Sequence, residues 1–415
     1  MYALIDANSF YASCEQIFRP DLRGRAVVVL SNNDGCIIAR NAEAKKLGIK
    51  MGEPYFKCRD YLTHHQVQIF SSNYALYADL SNRMMRTIKQ FAPMIEVYSI
   101  DECFAYLGGM DTKNLENLGK TWRATIRQWT GLTCGIGFGP TKTLAKLANH
   151  AAKEYPATGG VVDLSDPARQ RRLMSLVPIE EVWGVGHRLA KRLRDMGIHR
   201  ALDLADADSD LIRKKFSVVL QRTVWELNGR SCLGIEEVAP PKQQIICSRS
   251  FGQKITSIQD LSEAVAEYTA RAAEKLRHER QYCRLLTVFA QSSRYIDQPY
   301  SAHRSIDLYD YTADTRDLVA AALSLLPQIY QEGMAFAKAG VILQDFSCGQ
   351  RQASLFNSSH IRNDMNLMRT IDSINHKQRH SIYLAAQGLK KTWCMRHSNL
   401  SPAYTTRWKD LPECR

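Results

Sequence analysis

At 415 residues the chain is too long for one compact core, so we expect it to divide into two to four domains. Its 55 Lys and Arg exceed its 42 Asp and Glu by thirteen, which indicates a polyanionic partner, either nucleic acid or an anionic membrane surface. No apolar run approaches the ~18 residues of a membrane-spanning helix, and the first residues lack the charged start of a signal peptide, so we predict a cytoplasmic protein with no membrane partner.

The first 165 residues predict a mixed α/β unit. Runs of β-branched residues and helically spaced apolar residues alternate in this region. The predicted strands cover 2–5, 26–30, 95–100, 103–107 and 132–138, and the predicted helices cover 40–47, about 74–91, about 115–130 and 141–153. Two β-α-β-like halves of this kind predict a ferredoxin-like sheet.

The stretch VYSIDECFAYL places Asp101 and Glu102 between two predicted antiparallel strands. Neighbours in a regular strand point to opposite faces, but at a hairpin tip this alternation relaxes, and both carboxylates can turn toward one ion. Asp6 ends the first predicted strand, which lies beside these two in such a sheet. We therefore predict that the three carboxylates meet on one face.

Three carboxylates on one sheet face repel one another strongly unless divalent cations neutralise them. Mg²⁺ suits such a site because it binds a few carboxylates, keeps water ligands and takes substrate phosphates in its remaining positions. Two ions about 3.5 to 4 Å apart stabilise both the attacking and the leaving oxygen of a phosphoryl transfer. The acidic residues therefore predict a two-Mg²⁺ site that acts on a nucleotide.

Short basic helices are predicted between about residues 167 and 229. Within this region, residues 178–198 predict a helix, a hairpin and a second helix, with Gly184 and Gly186 in the turn. Free backbone amides at the start of the second helix bind a DNA phosphate without reading sequence. His187 and Arg188 add positive charge beside them.

A separate α+β domain is predicted after the Pro240-Pro241 break, over about 243–346. Its strands alternate with helices predicted over 262–280 and 317–332. The residues from about 349 onward are polar, with one helical stretch and an irregular end. We predict that they form a tail.

Separated motifs in one order carry a resemblance to a known family. The opening D-x-N/D-x-F-Y/F and the later S-I-D-E of the Y-family translesion DNA polymerases are matched by residues 6–11 and 99–102. More narrowly, the chain resembles the UmuC-type catalytic subunit of bacterial DNA polymerase V, through SNNDG, IARNAEAKKLG, AKLANHAAK, SRSFG and the terminal YTTR.

The resemblance implies an α+β multidomain fold. It implies a ferredoxin-like palm over 1–165 with a fingers insertion at about 26–73, a thumb with a helix-hairpin-helix over 166–238, an α+β little finger over 243–348, and a C-terminal tail over 349–415. The implied catalytic metal ligands are the carboxylates of Asp6, Asp101 and Glu102 and the backbone carbonyl of Ala7. Tyr11 is the implied steric gate that rejects ribonucleotides, whereas Phe10 beside it has the simpler role of packing the first helix.

The resemblance also places Lys45 and Lys153 at the family's basic positions for the triphosphate, although either residue alone is typical of a solvated surface. Many relatives carry Tyr and Arg in the finger motif, where this chain has Ala42 and Lys45. A lysine is a point charge rather than a bidentate fork, so Arg40 is an alternative triphosphate ligand.

Two further contact regions are implied beyond the thumb. SRSFGQKI resembles the start of the little finger, where Arg249 and Lys254 are candidate phosphate ligands, with ordinary surface charge as the alternative. QASLF has the pattern of a sliding-clamp peptide, in which Gln352 fills a polar pocket and Leu355 and Phe356 fill an apolar groove. The tail is where the resemblance places the processed UmuD dimer and the recombinase (RecA-type) filament.

We therefore predict a template-directed, error-prone DNA polymerase that takes primer-template DNA and deoxynucleoside triphosphates and bypasses lesions in the SOS response. It would associate with the nucleoid when acting. Two other classes of function are alternatives to this prediction. A nucleotidyl cyclase also sets carboxylates on a ferredoxin-like sheet, and a non-catalytic scaffold would bind DNA and the clamp without chemistry.

Overall fold

The computed structural model describes residues 1–110, 113–236, 240–348, 364–378 and 381–411. The chain forms two compact units, of which the first comprises Met1–Ser31, Gly35–Ala239 and Asn399–Arg415, and the second comprises Asn32–Asp34 and Pro240–Ser398. Along the described ranges, none of the helices is long and apolar enough to span a bilayer.

The strands and helices of the first unit are numbered in chain order. The strands are β1 Tyr2–Ala7, β2 Val27–Leu30, β3 Ile37–Arg40, β4 Gln68–Ser71, β5 Met94–Val97, β6 Glu102–Tyr106, β7 Cys134–Gly139 and β8 Val161–Asp163. The helices are α1 Phe10–Ile17, α2 Ala42–Lys46, α3 Tyr55–His64, α4 Tyr74–Ile88, α5 Leu115–Thr130, α6 Lys142–Glu154, α7 Pro167–Met174, α8 His187–Arg194, α9 Ala201–Ala205, α10 Ser209–Lys215 and α11 Val218–Leu227.

The main sheet of the first unit has the strand order β5-β6-β1-β7-β8. The strand β1 is antiparallel to both β6 and β7, and β8 adds to the edge parallel to β7. All six residues of β1 are buried, because helices cover the sheet. The first four strands in this order, with α4 and α5 as crossovers, are the ferredoxin-like arrangement, so that prediction is confirmed.

Helix α6 lies directly against β7 because two glycines remove the side chains between them. A Cβ atom at Gly137 would lie 2.2 Å from the backbone nitrogen of Asn149, and one at Gly139 would lie 2.7 Å from the nitrogen of Ala145. The Asn149 side chain, which is 2% exposed, donates hydrogen bonds to the carbonyl oxygens of Leu4 and Gly135. The position of α6 relative to the two central strands is thus fixed by close contact and by hydrogen bonds.

The segment between β1 and α4 folds into a small sheet of order β3-β2-β4, with α2 and α3 packed on it. The predicted helix over 40–47 was wrong at its start. Arg40 ends strand β3, where Ile37 and Ala39 are buried, and Asn41 caps the shorter helix α2 by accepting from the amide of Ala44. The side chain of Asn41 also accepts from the Val27 amide, so it holds the start of α2 to the strand β2.

The helices α7 to α11 share one core with α6. The predicted first helix of the helix-hairpin-helix is a single 3-10 turn over Ile179–Glu181 rather than a full helix. Val182 and Val185 are buried after it, and Gly184 makes the turn with a φ of +89°, which a side chain would strain. The second helix, α8, begins at His187 as predicted.

The second unit consists of β9 Ile245–Ile255, α12 Ile258–His278, β10 Tyr282–Ser292, β11 Ser301–Thr312, α13 Thr315–Ser324, β12 Phe336–Ser347 and α14 Met365–Lys377. Its antiparallel sheet has the order β11-β10-β12-β9, with α12 and α13 packed against it. The helix predicted over 317–332 ends at Ser324, since Pro327 lies in the 3-10 turn that follows. Met368 and Trp393, from the predicted tail, are buried in this unit.

Candidate active site

A cavity of about 420 Å³ opens where the ends of β1 and β3 meet the start of α1. It gathers most of the residues predicted for catalysis and nucleotide binding. Its lining includes Asp6, Ala7, Phe10, Tyr11, Arg40, Lys45, Asp101 and Lys153. These residues are separated by up to 147 positions in the sequence, from Asp6 to Lys153, so only the fold brings them together.

The turn between β5 and β6 presents the acidic pair. The amides of Tyr98 and Ser99 both bond to the carbonyl of Glu102, which closes the hairpin, and Glu102 begins β6. The hydroxyl of Ser99 donates to Asp101 at 2.6 Å and accepts from the amides of Asp101 and Glu102. The Ala7 amide bonds to the carbonyl of Asp101 at 2.9 Å, so the turn is tied to the end of β1.

Asp6 and Glu102 face each other across adjacent strands, as their register requires. Burial raises the pKa of Asp6 to about 7; the Lys153 ammonium opposes this shift and the Glu102 carboxylate adds to it. Lys153 lies 2.5 Å from Asp6, and Lys146 bonds to both oxygens of Glu102 at 2.8 and 2.9 Å. The two lysines therefore supply part of the positive charge that this acidic pair needs in a low-dielectric site.

The three carboxylates are less closely gathered than predicted. Within the described ranges, no three Asp, Glu, His or Cys side chains converge tightly enough to form a complete metal site. Asp6 and Glu102 interact with each other and with lysines, whereas Asp101 bonds to Ser99 and faces the cavity. All of the predicted ligand atoms are oxygens, the ligand type that Mg²⁺ prefers, so their chemistry fits such an ion.

Sequence reasoning named Lys153 but missed Lys142 and Lys146, the two other lysines that α6 presents to the sheet. Lys142, Lys146 and Lys153 recur at helical spacing, so they lie along one face of α6. Lys142 is 3% exposed and bonds to Glu96 at 2.5 Å, while Lys146 lies over the rings of Tyr98 and Trp183. The signal was present in the sequence, because a lysine stripe at this spacing on an otherwise apolar helix predicts buried acidic partners.

Tyr11 lines the cavity and is held from behind by other aromatic rings. It stacks on Tyr77 with ring centroids 4.5 Å apart, and Tyr74 meets it edge-on at 6.2 Å. Phe10 is 4% exposed and packs into the core. Ser9, just before α1, adopts the left-handed conformation with a φ of +46°, which is uncommon for a residue with a side chain and turns the chain sharply between Ala7 and Tyr11.

The two other predicted triphosphate ligands differ in their surroundings. Lys45 is exposed on α2 and lines the cavity. Arg40 also lines the cavity, but its guanidinium bonds to the Ile49 carbonyl, which fixes its direction. Lys45 is thus the more adaptable of the two cations.

Comparison with known proteins identifies the family. The profile of the impB/mucB/samB family matches residues 5–150, and that of its C-terminal domain matches residues 242–355. A third profile, a domain of unknown function, matches residues 365–414. UmuC from Salmonella typhimurium is 51% identical over 99% of both chains, and MucB from Escherichia coli is 51% identical over the same shares. The chain belongs to the impB/mucB/samB family.

Other proteins similar to this impB/mucB/samB family member are named as DNA polymerases. DNA polymerase IV of Moorella thermoacetica is 28% identical over 90% of this chain and 92% of its own length. A solved Y-family DNA polymerase chimera has the same fold, with a TM-score of 0.68 at 20% identity, over 84% of this chain and 99% of the chimera. The predicted resemblance to the Y family is confirmed, and neither the cyclase nor the scaffold is favoured.

The predicted thumb residues lie together at the start of α8. Gly184, Gly186, His187 and Arg188 are all exposed. Gly186 is the residue that precedes the helix, and a Cβ atom there would meet nothing within 4 Å. The first amides of α8 therefore open to solvent beside two basic side chains, a geometry that suits a phosphate.

The remaining predicted contacts lie in or after the second unit. Arg249, in β9, lines a basic cavity of about 440 Å³ together with Arg271, Lys275 and His278. Lys254 is exposed on the same strand. The predicted clamp-binding residues Gln352, Leu355 and Phe356 lie outside the described residues.

Proposed function

We propose that this impB/mucB/samB family member extends a primer past lesions in a DNA template, using the cavity at the end of β1 as its catalytic centre. The observation that carries the proposal is the convergence of Asp6, Asp101, Tyr11 and Lys153 on one cavity in a chain that is 51% identical to UmuC from end to end. The primer 3′-hydroxyl attacks the α-phosphate of a deoxynucleoside triphosphate, and pyrophosphate leaves.

The carboxylates of Asp6, Asp101 and Glu102 and the carbonyl of Ala7 are the residues that would hold a pair of Mg²⁺ ions. Their oxygen atoms and their position at one strand end support this assignment. When bound, such ions stabilise the charge that develops on the attacking and leaving oxygens.

The other residues of the cavity act on the nucleotide itself. Lys153 and Lys45 neutralise the triphosphate, and Arg40 orients it from a fixed position. The ring of Tyr11 occupies the space that a ribose 2′-hydroxyl would need, so the cavity accepts deoxyribose. Lys146 holds Glu102 through both carboxylate oxygens and limits its rotation.

Contacts to DNA and to protein partners complete the proposal. The α8 start with His187 and Arg188 binds a backbone phosphate, and Arg249 and Lys254 bind the duplex along the little finger. The processed UmuD dimer, the recombinase filament and the sliding clamp are proposed partners on the strength of the identity with UmuC. The protein would act in the cytoplasm, at nucleoid DNA under repair.

Replacement of Asp101 by Asn tests the catalytic assignment. The variant should bind primer-template DNA with nearly unchanged affinity and extend no primer across an abasic site, in the presence of Mg²⁺, clamp and the processed accessory subunit. Asp60→Asn, on the exposed face of α3, is the matched control and should extend as the wild type does. A wild type that extends nothing under these conditions would favour the scaffold, and a cyclic nucleotide formed without DNA would favour the cyclase.

A further inference from the structure

The end of the chain belongs to the first unit, although the sequence predicted an irregular tail. Residues 399–411, here called the C-terminal segment, pack against β4 and α1. The Ser71 amide bonds to the carbonyl of Asn399 at 2.9 Å, and the Asn399 amide bonds to the Ser71 hydroxyl at 3.0 Å. Tyr404 is 9% exposed and stacks on Phe18, with centroids 4.7 Å apart and planes 13° from parallel.

Ser401 is the point at which this segment joins two helices. Its hydroxyl accepts a hydrogen bond from the Asn73 amide group at 2.9 Å and donates one to Glu15 at 3.1 Å. Asn73 caps the N-terminus of α4, and Glu15 lies on α1. All three side chains are buried, so these hydrogen bonds are protected from competition with water.

The same two helices carry the ring stack behind the cavity. Tyr11 and Glu15 are four residues apart on α1, and Asn73 and Tyr77 are four residues apart across the start of α4, so each pair shares one face. The Tyr77 hydroxyl donates to the same Glu15 oxygen that Ser401 bonds, at 2.7 Å. The network therefore runs from Ser401 through Glu15 to Tyr77, whose ring supports Tyr11.

We propose that the C-terminal segment is a positioning element for sugar selection, acting through Ser401, Glu15 and Tyr77 on the ring of Tyr11. The inference rests on the proposed function, in which Tyr11 excludes ribonucleotides, and it gives the end of the domain of unknown function a role in the reaction. Neither Ser401 nor Glu15 lines the cavity. Both would therefore act on the substrate only through the position of the Tyr11 ring.

The argument for selectivity is steric. A 2′-hydroxyl and a 2′-hydrogen differ by one oxygen atom, so a ring that shifts by a fraction of an ångström loses much of its power to distinguish them, while deoxynucleotides still fit. Ser401 and Tyr77 both donate to one carboxylate oxygen of Glu15, and its other oxygen is buried without a hydrogen-bond partner among the residues that the structure describes. Burial raises the pKa of Glu15 to about 7, which favours the protonated, uncharged form in this network.

The test measures the ratio of kcat/KM for dCTP to that for CTP opposite a template guanine, with the full chain and its accessory proteins. Ser401→Ala should lower this ratio by about two- to tenfold, the factor expected when one buried hydrogen bond is lost. Thr406→Ala, which removes an exposed hydroxyl from the same segment, should leave the ratio unchanged. A ratio does not depend on the fraction of molecules folded, so a purely structural defect would lower both rates equally.

Conservative substitutions test the hydrogen bonds of the network one at a time. Tyr77→Phe keeps the ring and removes its bond to Glu15, so it should lower the ratio as Ser401→Ala does. Glu15→Ala should also lower it, whereas Glu15→Gln, which keeps an acceptor oxygen, should restore most of it. If Ser401→Ala and Glu15→Ala both discriminate as the wild type does, the inference is overturned.

Tyr11→Ala separates this failure from a failure of the proposed function. If Tyr11→Ala incorporates ribonucleotides freely while the network variants do not, the gate stands and the positioning role alone fails. If Tyr11→Ala still rejects ribonucleotides, the gate assignment itself is wrong, and the inference falls with it.

Discussion

The two units both bury acidic side chains beside cations, yet the pKa values of those acids move in opposite directions. In the first unit, burial raises the pKa of Asp6 to about 7 even though Lys153 lies against it. In the second, burial also acts on Asp314, but the hydrogen bonds from the Arg316 side chain and amide outweigh it and lower the pKa. Glu267, which bonds to Lys391, Arg271 and Gln387, is shifted downward in the same way.

The difference separates a fully paired acid, Asp314, from an incompletely paired one, Asp6. Asp314 accepts from both arms of Arg316 and from the amide of Arg316, so its charge is fully satisfied. Asp6 has one lysine and a second carboxylate beside it, so its environment favours additional positive charge. Such an incompletely paired acid lowers the stability of the fold when it is ionised.

The largest expected effect follows from removing the charge of Asp6. Asp6→Asn should lower the rate of primer extension by about a thousandfold or more, since the proposed metal-binding carboxylate becomes a neutral amide and several kcal/mol of transition-state stabilisation is lost. It should not lower the thermal unfolding midpoint, because the ionised form of Asp6 is itself unfavourable in the fold. Single-turnover extension and calorimetry measure the two quantities. Wild-type extension by this variant would remove Asp6 from the catalytic centre.

In the second unit, by contrast, removing a buried acid should lower the stability. Asp314→Ala removes the cap of α13 and leaves Arg316 without its partner, so it should destabilise this unit by about 3 kcal/mol. Asp314→Asn, which keeps the cap oxygen, should cost less. Amide hydrogen exchange of α13 measures the loss locally. Equal exchange rates in the wild type and Asp314→Ala would show that Asp314 does not stabilise α13, and the contrast with Asp6 would then be wrong.

Glu15 is a second buried acid of the first unit, and its raised pKa should make the unfolding free energy depend on pH. Its pKa is raised above that of the unfolded chain, so its contribution to stability is complete below pH 4.5 and is lost as the pH rises to about 7. Over this range the loss should be roughly 3 kcal/mol. Glu15→Gln should remove this part of the pH dependence of the unfolding free energy. Parallel pH profiles for both proteins would contradict the assignment.

The smallest effect on the unfolding free energy is expected for an ion pair at the surface. Arg169 and Glu116 form an ion pair in which both side chains are about half exposed. Glu116→Gln should produce no measurable change in the unfolding free energy, because solvent screens such a pair. A clear destabilisation there would mean that charge pairing, rather than burial, sets the difference between the units.

The sequence was sufficient to predict the palm and most of the cavity. Helix α5 was predicted near its observed bounds, Leu115–Thr130. Asp101 and Glu102 were predicted at a hairpin tip, where the structure has them. Local patterns carry this information because each depends on residues close in the sequence.

What could not be predicted depends on distant partners. Ser401 looks like an ordinary polar residue of a tail, and only the fold shows its bonds to Glu15 and Asn73. The start of α2 was misplaced because Asn41 is fixed by the Val27 amide, fourteen residues earlier. Long-range hydrogen bonds of this kind leave no periodic trace in the sequence.

The contact between Gly137 and α6 has a consequence for how the protein tolerates mutation. The helix carries Lys146 and Lys153, which reach two different carboxylates, so its distance from β7 sets both ion pairs at once. A single added methyl group at Gly137 would displace both lysines together, although it touches neither. A change that looks conservative and remote would therefore act as a double mutation of the candidate active site.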